Sequence, residues 1–402
     1  MDGSLSGLRI LDLTRILAGP FCTATLCDLG AEVIKVEHPN GGDLSRGTAP
    51  FISDGDSYYY LSVNRGKHSV TLDLTNERGK EIFLDLVKVS DVVIENFRPG
   101  TMDRLGLSYN DLRPLNPRIV FASISGFGQT GPYSDRPALD IIVQAMGGLM
   151  GITGEPGGAP VRAGTSLSDI VAGLFTTNAL LAALYERERS GEGQMVDISM
   201  MDCQLSILES AIGRYTLTGQ IPQPMGSRHP TFTPFQAFQT QDSWIVIAIV
   251  GGLNDMWPRL CAAIERVDLI DDPRFADGNI RTENYEIISP ILNEAFLKKT
   301  TQEWLEELQG LGIPVGPVNS IEDVVNDPQV QHREMLAEVR SPTGTPAVVV
   351  NTPIKMSRSA SGPQGPGASL GEHNDWMLRE VLGLPADAVE AINASGALGT
   401  EH

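Results

Sequence analysis

The chain has 402 residues, 41% hydrophobic and 20% charged, a balance typical of folded proteins with sizeable cores. This length exceeds the roughly 250–300 residues at which single cores stop growing, so two domains are expected. A formal net charge of −20, with no long Lys/Arg block, argues against nucleic acid and anionic membranes as partners.

The amino-terminal stretch MDGSLSGLRILDL has no basic n-region or apolar h-region and enters a predicted strand, LRILDL (8–13), almost at once. A helix-like PFCTATLCDLG and a second strand, AEVIKVE (31–37), complete a β-α-β unit closed by Gly30. SVTLDL (69–74), a helix from about Glu77 to Val89, DVVIENF (91–97) and RIVFASIS (118–125) continue the alternation. The pattern predicts a doubly wound, Rossmann-like α/β domain with a parallel sheet. A long helix follows over Ile170–Arg189, then a strand MVDISM (195–200) and a helix to about Thr216.

Composition shifts at TGQIPQPMGSRHPTFTP, and 218–234 reads as a linker. FQAFQT and SWIVIAIV predict a hairpin, followed by helices near 255–265, 281–299 and 301–310. The expected layout is a large α/β domain over 1–217, completed by 328–402, and a smaller α+β domain over 235–327. PAVVVNTP is extended, SGPQGPG (361–367) is a loop, a last helix lies near 374–383, and fraying is expected from about Ala394.

Several motifs resemble catalytic signatures without their context. GFGQTG (126–131) fits a dinucleotide fingerprint, but Pro132 and Pro137 make the next stretch a loop, and a tight loop is expected instead. GASLG (367–371) fits a nucleophile elbow but follows a Gly/Pro loop rather than a strand. The six histidines lack metal-ligand spacing, so no metal site is expected. The four cysteines (Cys22, Cys27, Cys203, Cys261) lack C-x-x-C spacing and read as buried, reduced thiols. Apolar runs such as WIVIAIVGGL fall short of the ~18 residues that span a bilayer. Cytoplasm is therefore the expected compartment.

Two features point to chemistry. Lys35, His38, Arg46, Arg65, Lys67, His68, Arg98 and Arg104 gather in the first quarter at predicted strand ends or loops, where open α/β sheets bind phosphorylated ligands. Scattered solvated charges are the competing reading. In AGTSLSDIVAGLF (163–175), Ser168 and Asp169 stand at a helix start. There the carboxylate serves either as a cap, kept ionised by the helix dipole, or as an oriented nucleophile.

GLRILDLTRILAGPF, LGAEVIKVEHPNGGDLSR, VIENFRPGTMDRLGL, NPRIVFASISGFGQTGP, SDIVAGL, RSGEGQMVDISMMD, GIPVGPVNSIEDVVNDPQV and LGEHND together resemble the class III CoA-transferases, the CaiB/BaiF family, nearly end to end. The resemblance implies an interlocked homodimer, Asp169 as catalytic nucleophile, and acyl-CoA plus a small carboxylic acid as substrates, with no permanently bound cofactor. The matching CoA contacts are Ala18, His38, Leu72, Asn96, Phe97, Thr101, Arg104 and Met200; formyl-CoA transferase has Arg in place of His38. Family racemases pair the aspartate with a His, but Leu139 stands there and supplies no second proton-transfer group. Transfer is therefore favoured over α-methylacyl-CoA racemisation, and the other alternative is a non-catalytic CoA-binding homologue.

The implied chemistry runs through an aspartyl mixed anhydride and an aspartyl-CoA thioester. Backbone N–H groups near the helix start are the expected oxyanion donors. A Gly-rich flap is implied at VGGLND, with Gly251 and Gly252. Leu17 and Thr48 replace the Gln and Trp of formyl-CoA transferase, so the chain is more similar to members using succinyl-CoA and dicarboxylates. Arg46 or Arg228 would clamp a distal carboxylate as a bidentate pair.

Overall fold

The computed structural model describes residues 2–250 and 256–399. The chain forms two compact units, one of Met1–Leu149, Arg162–Thr216 and Pro328–His402, the other of Met150–Val161 and Leu217–Asp327. The stretch 218–234 lies inside the second unit.

The first unit is built on six strands: β1 (Arg9–Asp12), β2 (Glu32–Glu37), β3 (His68–Thr71), β4 (Val92–Glu95), β5 (Val120–Ser125) and β6 (Met195–Ser199). Their order is β3-β2-β1-β4-β5-β6 and every pairing is parallel. This is the doubly wound order, whose switch point lies between β1 and β4. Side chains alternate between the faces: Leu11 and Val93 join a core with the helix Glu77–Lys88, while Ile10, Val92 and Ile94 pack against the helices Ala18–Asp28 and Leu167–Ser190. All six predicted strands are present.

Helices Ala18–Asp28 and Leu167–Ser190 approach closely because Gly173 lacks a side chain: a Cβ there would meet the Ala18 carbonyl oxygen at 2.7 Å. Thr176 and Thr177 are buried nearby and satisfy their hydroxyls on the carbonyls of Ala172 and Gly173, at 2.7 and 2.9 Å. The helix Leu167–Ser190 is long and apolar enough to cross a bilayer, although half of that apolar window is buried within the protein. Run length alone overlooks it in the sequence, because Thr, Asn and Gly interrupt the apolar residues.

The second unit carries an antiparallel sheet, β7 (Phe235–Gln239), β8 (Trp244–Ala248) and β9 (Val315–Pro317). The hairpin is as expected; β9 lies in GIPVGP, which has too little alternation to show as a strand. The single helix expected over 281–299 is two, Gly278–Glu283 and Tyr285–Phe296, broken at Asn284, whose side chain donates to the Ile280 carbonyl. In the first unit, β10 (Leu336–Arg340) and β11 (Pro346–Val350) form a further hairpin.

The expected fraying from Ala394 is corrected. A helix, Ala386–Ala394, buries Val389 and Ile392, and Ala397 is fully buried behind it. The Asp73 N–H and the Thr71 hydroxyl bond the carbonyls of Ala397 and Leu398, each at 2.8 Å. Backbone hydrogen bonds, which leave no compositional trace, hold this tail.

Candidate active site

Asp169 is the third residue of the helix Leu167–Ser190 and is half-buried. It is not the cap. The N-cap position is Ser166, which makes no side-chain cap bond. The capping acceptor comes from another helix, Asp140–Met146, where Asp140 Oδ1 accepts the Ser168 N–H at 2.9 Å and Oδ2 accepts Gln144 Nε2 at 2.7 Å. The network closes through the Ser168 hydroxyl, which donates to Gln204 Oε1 at 2.8 Å.

With the capping role filled by Asp140, the Asp169 carboxylate accepts no hydrogen bond among the described residues. Burial and the neighbouring Asp140 push its carboxyl up to about 7. Burial and Asp140 thus act in the direction opposite to the one expected from the helix terminus, and both disfavour the ionised form. The Tyr59 phenol faces the same charges and is pushed up to about 12 by burial, then by Asp169, Asp43 and Asp140. The expected oxyanion donors are also mostly engaged, since the N–H groups of Leu167, Ser168 and Ile170 bond Thr165, Asp140 and Ser166.

A cavity of about 520 Å³ opens beside this helix start, lined by Leu17, Phe21, Tyr59, Arg162, Ser166 and Ile170 among others. Arg162 donates Nε–H to the Ala163 carbonyl at 2.9 Å and has no acidic partner among the described residues. The other lining arginine, Arg65, is paired with Asp28 at 2.7 Å.

A second cavity, about 290 Å³, lies at the carboxyl ends of β1 to β4 and is lined by His38, Leu72, Phe97 and Thr101, together with Arg15 and Arg98. Arg104 reaches its edge by donating to the Thr101 hydroxyl at 2.9 Å. Four of the eight expected CoA contacts thus share one cavity. Leu72 is buried, so it offers backbone more than side chain, and His38 is exposed with Nδ1 accepting the Asn40 N–H at 3.1 Å. Asn96 turns its amide to the Arg15 backbone, while Ala18 and Met200 are buried in the core on the other sheet face. Arg15, stacked 4.8 Å from the Phe97 ring centroid, is missed by the sequence reading. Its position directly after β1 at the switch point is the signal that marks it.

Much of the basic cluster proves structural. Lys35 and Lys67 are buried and paired with Asp43 and Asp12, each at 3.0 Å. His68 stacks 4.2 Å from Trp376. Arg46 grips Glu37 through two nitrogens, at 2.8 and 2.7 Å, and donates to the Ala368 carbonyl, so its guanidinium is occupied rather than free to clamp a substrate. Arg228 lies in the second unit, 3.6 Å over the Tyr285 ring, and donates to the Thr282 carbonyl. Gly251 and Gly252 lie outside the described residues. Leu139 is 72% exposed, and its neighbour Asp140 is the carboxylate near Asp169. No group of three potential metal ligands occurs among the described residues.

The GFGQTG segment forms a loop in which Gly126 sits against Ala138, where a Cβ would lie 2.1 Å from the alanine methyl. The Gln129 N–H donates to the Asp197 carboxylate, tying the loop to β6.

The family model for CoA-transferase family III matches residues 5–374. A succinyl-CoA:glutarate CoA-transferase of Mus musculus is 38% identical over 98% of this chain and 90% of its own length. An acetyl-CoA:oxalate CoA-transferase of Acetobacter aceti is 41% identical over 95% of this chain and 97% of its own. Among solved structures, a CaiB/BaiF family protein from Brucella suis is 37% identical, with a TM-score of 0.84, covering 95% of this chain and all of that one. The chain is an enzyme that belongs to CoA-transferase family III.

Proposed function

We propose that the enzyme moves CoA from succinyl-CoA to a dicarboxylic acid by way of Asp169. The observation that carries this reading is a half-buried carboxylate without a hydrogen-bond partner among the described residues, in a family III chain, with ionisation tuned to about 7. Such a group is present as carboxylate near neutral pH and is poorly solvated, which makes it nucleophilic. Its oxygen attacks the donor acyl carbonyl, the C–S bond breaks, and CoA thiolate leaves a mixed anhydride. The thiolate then attacks the aspartyl carbonyl and expels succinate, leaving an aspartyl-CoA thioester. The acceptor carboxylate repeats these steps in reverse, so no water is consumed and no metal or redox partner is called for.

The strand-end cavity, with Arg15, His38, Arg98 and Arg104 about it, suits the phosphates of CoA. The cavity beside the start of the Asp169 helix suits the acid, and its Arg162, which has no acidic partner among the described residues, suits a second carboxylate. The relative named for succinyl-CoA and glutarate supports a dicarboxylate; the one named for acetyl-CoA and oxalate supports a shorter pair. Incubation with succinyl-CoA and a panel of glutarate, malate, itaconate, oxalate and acetate, read by mass spectrometry of the thioesters, decides between them. Absence of any new thioester would reject the transfer. In the same assay Arg162→Ala is expected to raise the KM for a dicarboxylate about tenfold while leaving acetate within about twofold, as loss of one charge-assisted pair predicts.

The pH profile of kcat/KM should rise through about 7 as Asp169 loses its proton, falling about tenfold per unit on the acid side. Asp140→Asn removes the neighbouring charge that opposes this ionisation, so the midpoint should move to lower pH. A midpoint that stays in place would exclude electrostatic coupling between the two carboxyls.

A homodimer is part of the proposal. Leu174, Phe175 and Tyr185 on the Asp169 helix, with Leu139, Ile141 and Ile142, are exposed apolar side chains that a second copy would cover. Sedimentation returning a monomer at micromolar concentration would count against it. All four cysteines are buried and unpaired, which suits the reducing cytoplasm proposed as its setting.

A further inference from the structure

The turn that leads from β1 into the helix Ala18–Asp28 holds a conformation its sequence does not favour. Ile16 has φ +66°, and it is the only β-branched residue among the described non-glycines with positive φ. A β-branched side chain is a poor occupant of that region, because its second γ-carbon crowds the backbone. Strained positions of this kind persist only where the surroundings over-determine them, and they cluster at functional sites.

Here the surroundings grip three successive residues of the turn, Thr14, Arg15 and Ile16. The Thr14 carbonyl accepts Lys35 Nζ at 2.9 Å. The Arg15 N–H donates to Asn96 Oδ1 at 2.8 Å, and the Arg15 carbonyl accepts from Asn96 Nδ2 at 2.9 Å, so one side-chain amide spans the whole residue. The Ile16 N–H donates to Asp43 Oδ1 at 3.1 Å. Asp43 is itself buried, held by Lys35 at 3.0 Å and by the Ser45 N–H at 2.9 Å. The three gripping residues come from β2, from the loop after it and from the end of β4. They meet at the switch point, where Arg15 and Leu13 line the strand-end cavity.

We infer that Asn96 and Asp43 form a latch that holds Ile16 in its left-handed conformation and so aims Arg15 into the strand-end cavity, at the ligand. Asn96 is then a positioning residue, acting through the Arg15 peptide, rather than a side chain that touches CoA. The inference rests on the reading of the strand-end cavity as the CoA site. With the latch open, Ile16 returns to negative φ and only a minor fraction of molecules presents the turn correctly. The apparent affinity then falls by that fraction while the chemistry on bound substrate is spared.

The test is a cycle of Asn96→Ala, Ile16→Gly and the double variant, with the CoA dissociation constant measured by calorimetry and melting followed in parallel. Asn96→Ala should weaken CoA about tenfold and raise KM for acyl-CoA with little change in kcat, if the competent fraction drops to about a tenth. Ile16→Gly alone should change binding by less than about threefold, since glycine enters positive φ without strain. In the double variant most of the loss should be recovered, because a glycine in place of Ile16 no longer needs the latch. If the two losses add instead, Asn96 contacts CoA directly and the latch is wrong. Coupled melting temperatures with unchanged CoA affinity would likewise overturn the positioning role. Should Asn96→Ala not fold, the near-isosteric Asn96→Leu runs the same cycle, filling the space while losing both hydrogen bonds to the Arg15 backbone and adding no charge. A wild-type protein that does not bind CoA would reject the cavity assignment itself, an outcome separate from failed rescue.

Discussion

Asp169→Asn is expected to abolish CoA transfer, by about 10⁴-fold or more as for other lost nucleophiles, while raising the melting temperature at pH 8. The two effects share one cause. Burial and Asp140 lift the carboxyl from its ordinary 3.8 to about 7, so the folded state binds this proton more tightly than the unfolded chain. Stability from this group is therefore greatest at low pH. It is lost as pH rises from about 4 to about 7, to a total of up to about 4 kcal/mol. Asparagine carries no such loss. The gain in melting temperature should be full above pH 7 and should vanish only below about pH 3, where the wild-type group is protonated in both states. CoA binding should survive, which separates lost chemistry from a lost site. A variant that keeps transfer activity would remove Asp169 from the reaction; one that melts no higher at any pH would show that the carboxylate is better solvated than its burial implies.

The doubly wound sheet was legible because β1 to β5 are almost wholly buried and read as short apolar runs between helical segments, while β6, with Met195 and Asp197 exposed, shows by alternation. Asp169 was legible as a candidate through its place at a helix start and through the family motif around it. Its electrostatics were not, because the cap that displaces it comes from Asp140, on another helix, and a capping partner outside the local turn leaves no spacing to detect. The basic residues illustrate the same limit. Lys35 and Lys67 lie on or beside strands where a phosphate site would place them in sequence, yet both point into a closed ionic cluster. Whether a lysine serves a ligand or a buried aspartate is decided by tertiary pairing. Arg15 and Ile16 show the converse: their importance lies in a backbone angle and a long-range amide bond, neither of which composition or periodicity encodes.

That ionic cluster carries the largest expected loss of stability. Asp12 and Lys67 are both buried, their charged atoms 3.0 Å apart. Lys67 also donates to Thr23, Asn64 and the Pro20 carbonyl, at 2.7, 2.8 and 3.2 Å, while Asp12 accepts from Thr14 and Thr23. Lys67→Met should fill the space but leave a buried carboxylate short of its principal counter-charge, at a cost of about 3–5 kcal/mol in urea unfolding. The acid limb should respond as well. Burial alone would raise the Asp12 carboxyl, but Lys67, Lys35 and the two threonine hydroxyls outweigh it and hold the group well below the usual range. Its contribution is thus complete above about pH 4 and is lost only as pH falls through the lower folded value. Without Lys67 that folded value rises toward the ordinary one, and the pH-dependent part of this contribution shrinks. A loss no greater than that of Lys88→Met, whose pair with Asp85 is exposed, would mean that water reaches the cluster and screens it. A loss of the expected size would place the cluster among the main supports of the turn after β1, because Asp12, paired with Lys67 through Oδ2, accepts the Thr14 N–H through Oδ1 and so fixes where that turn begins.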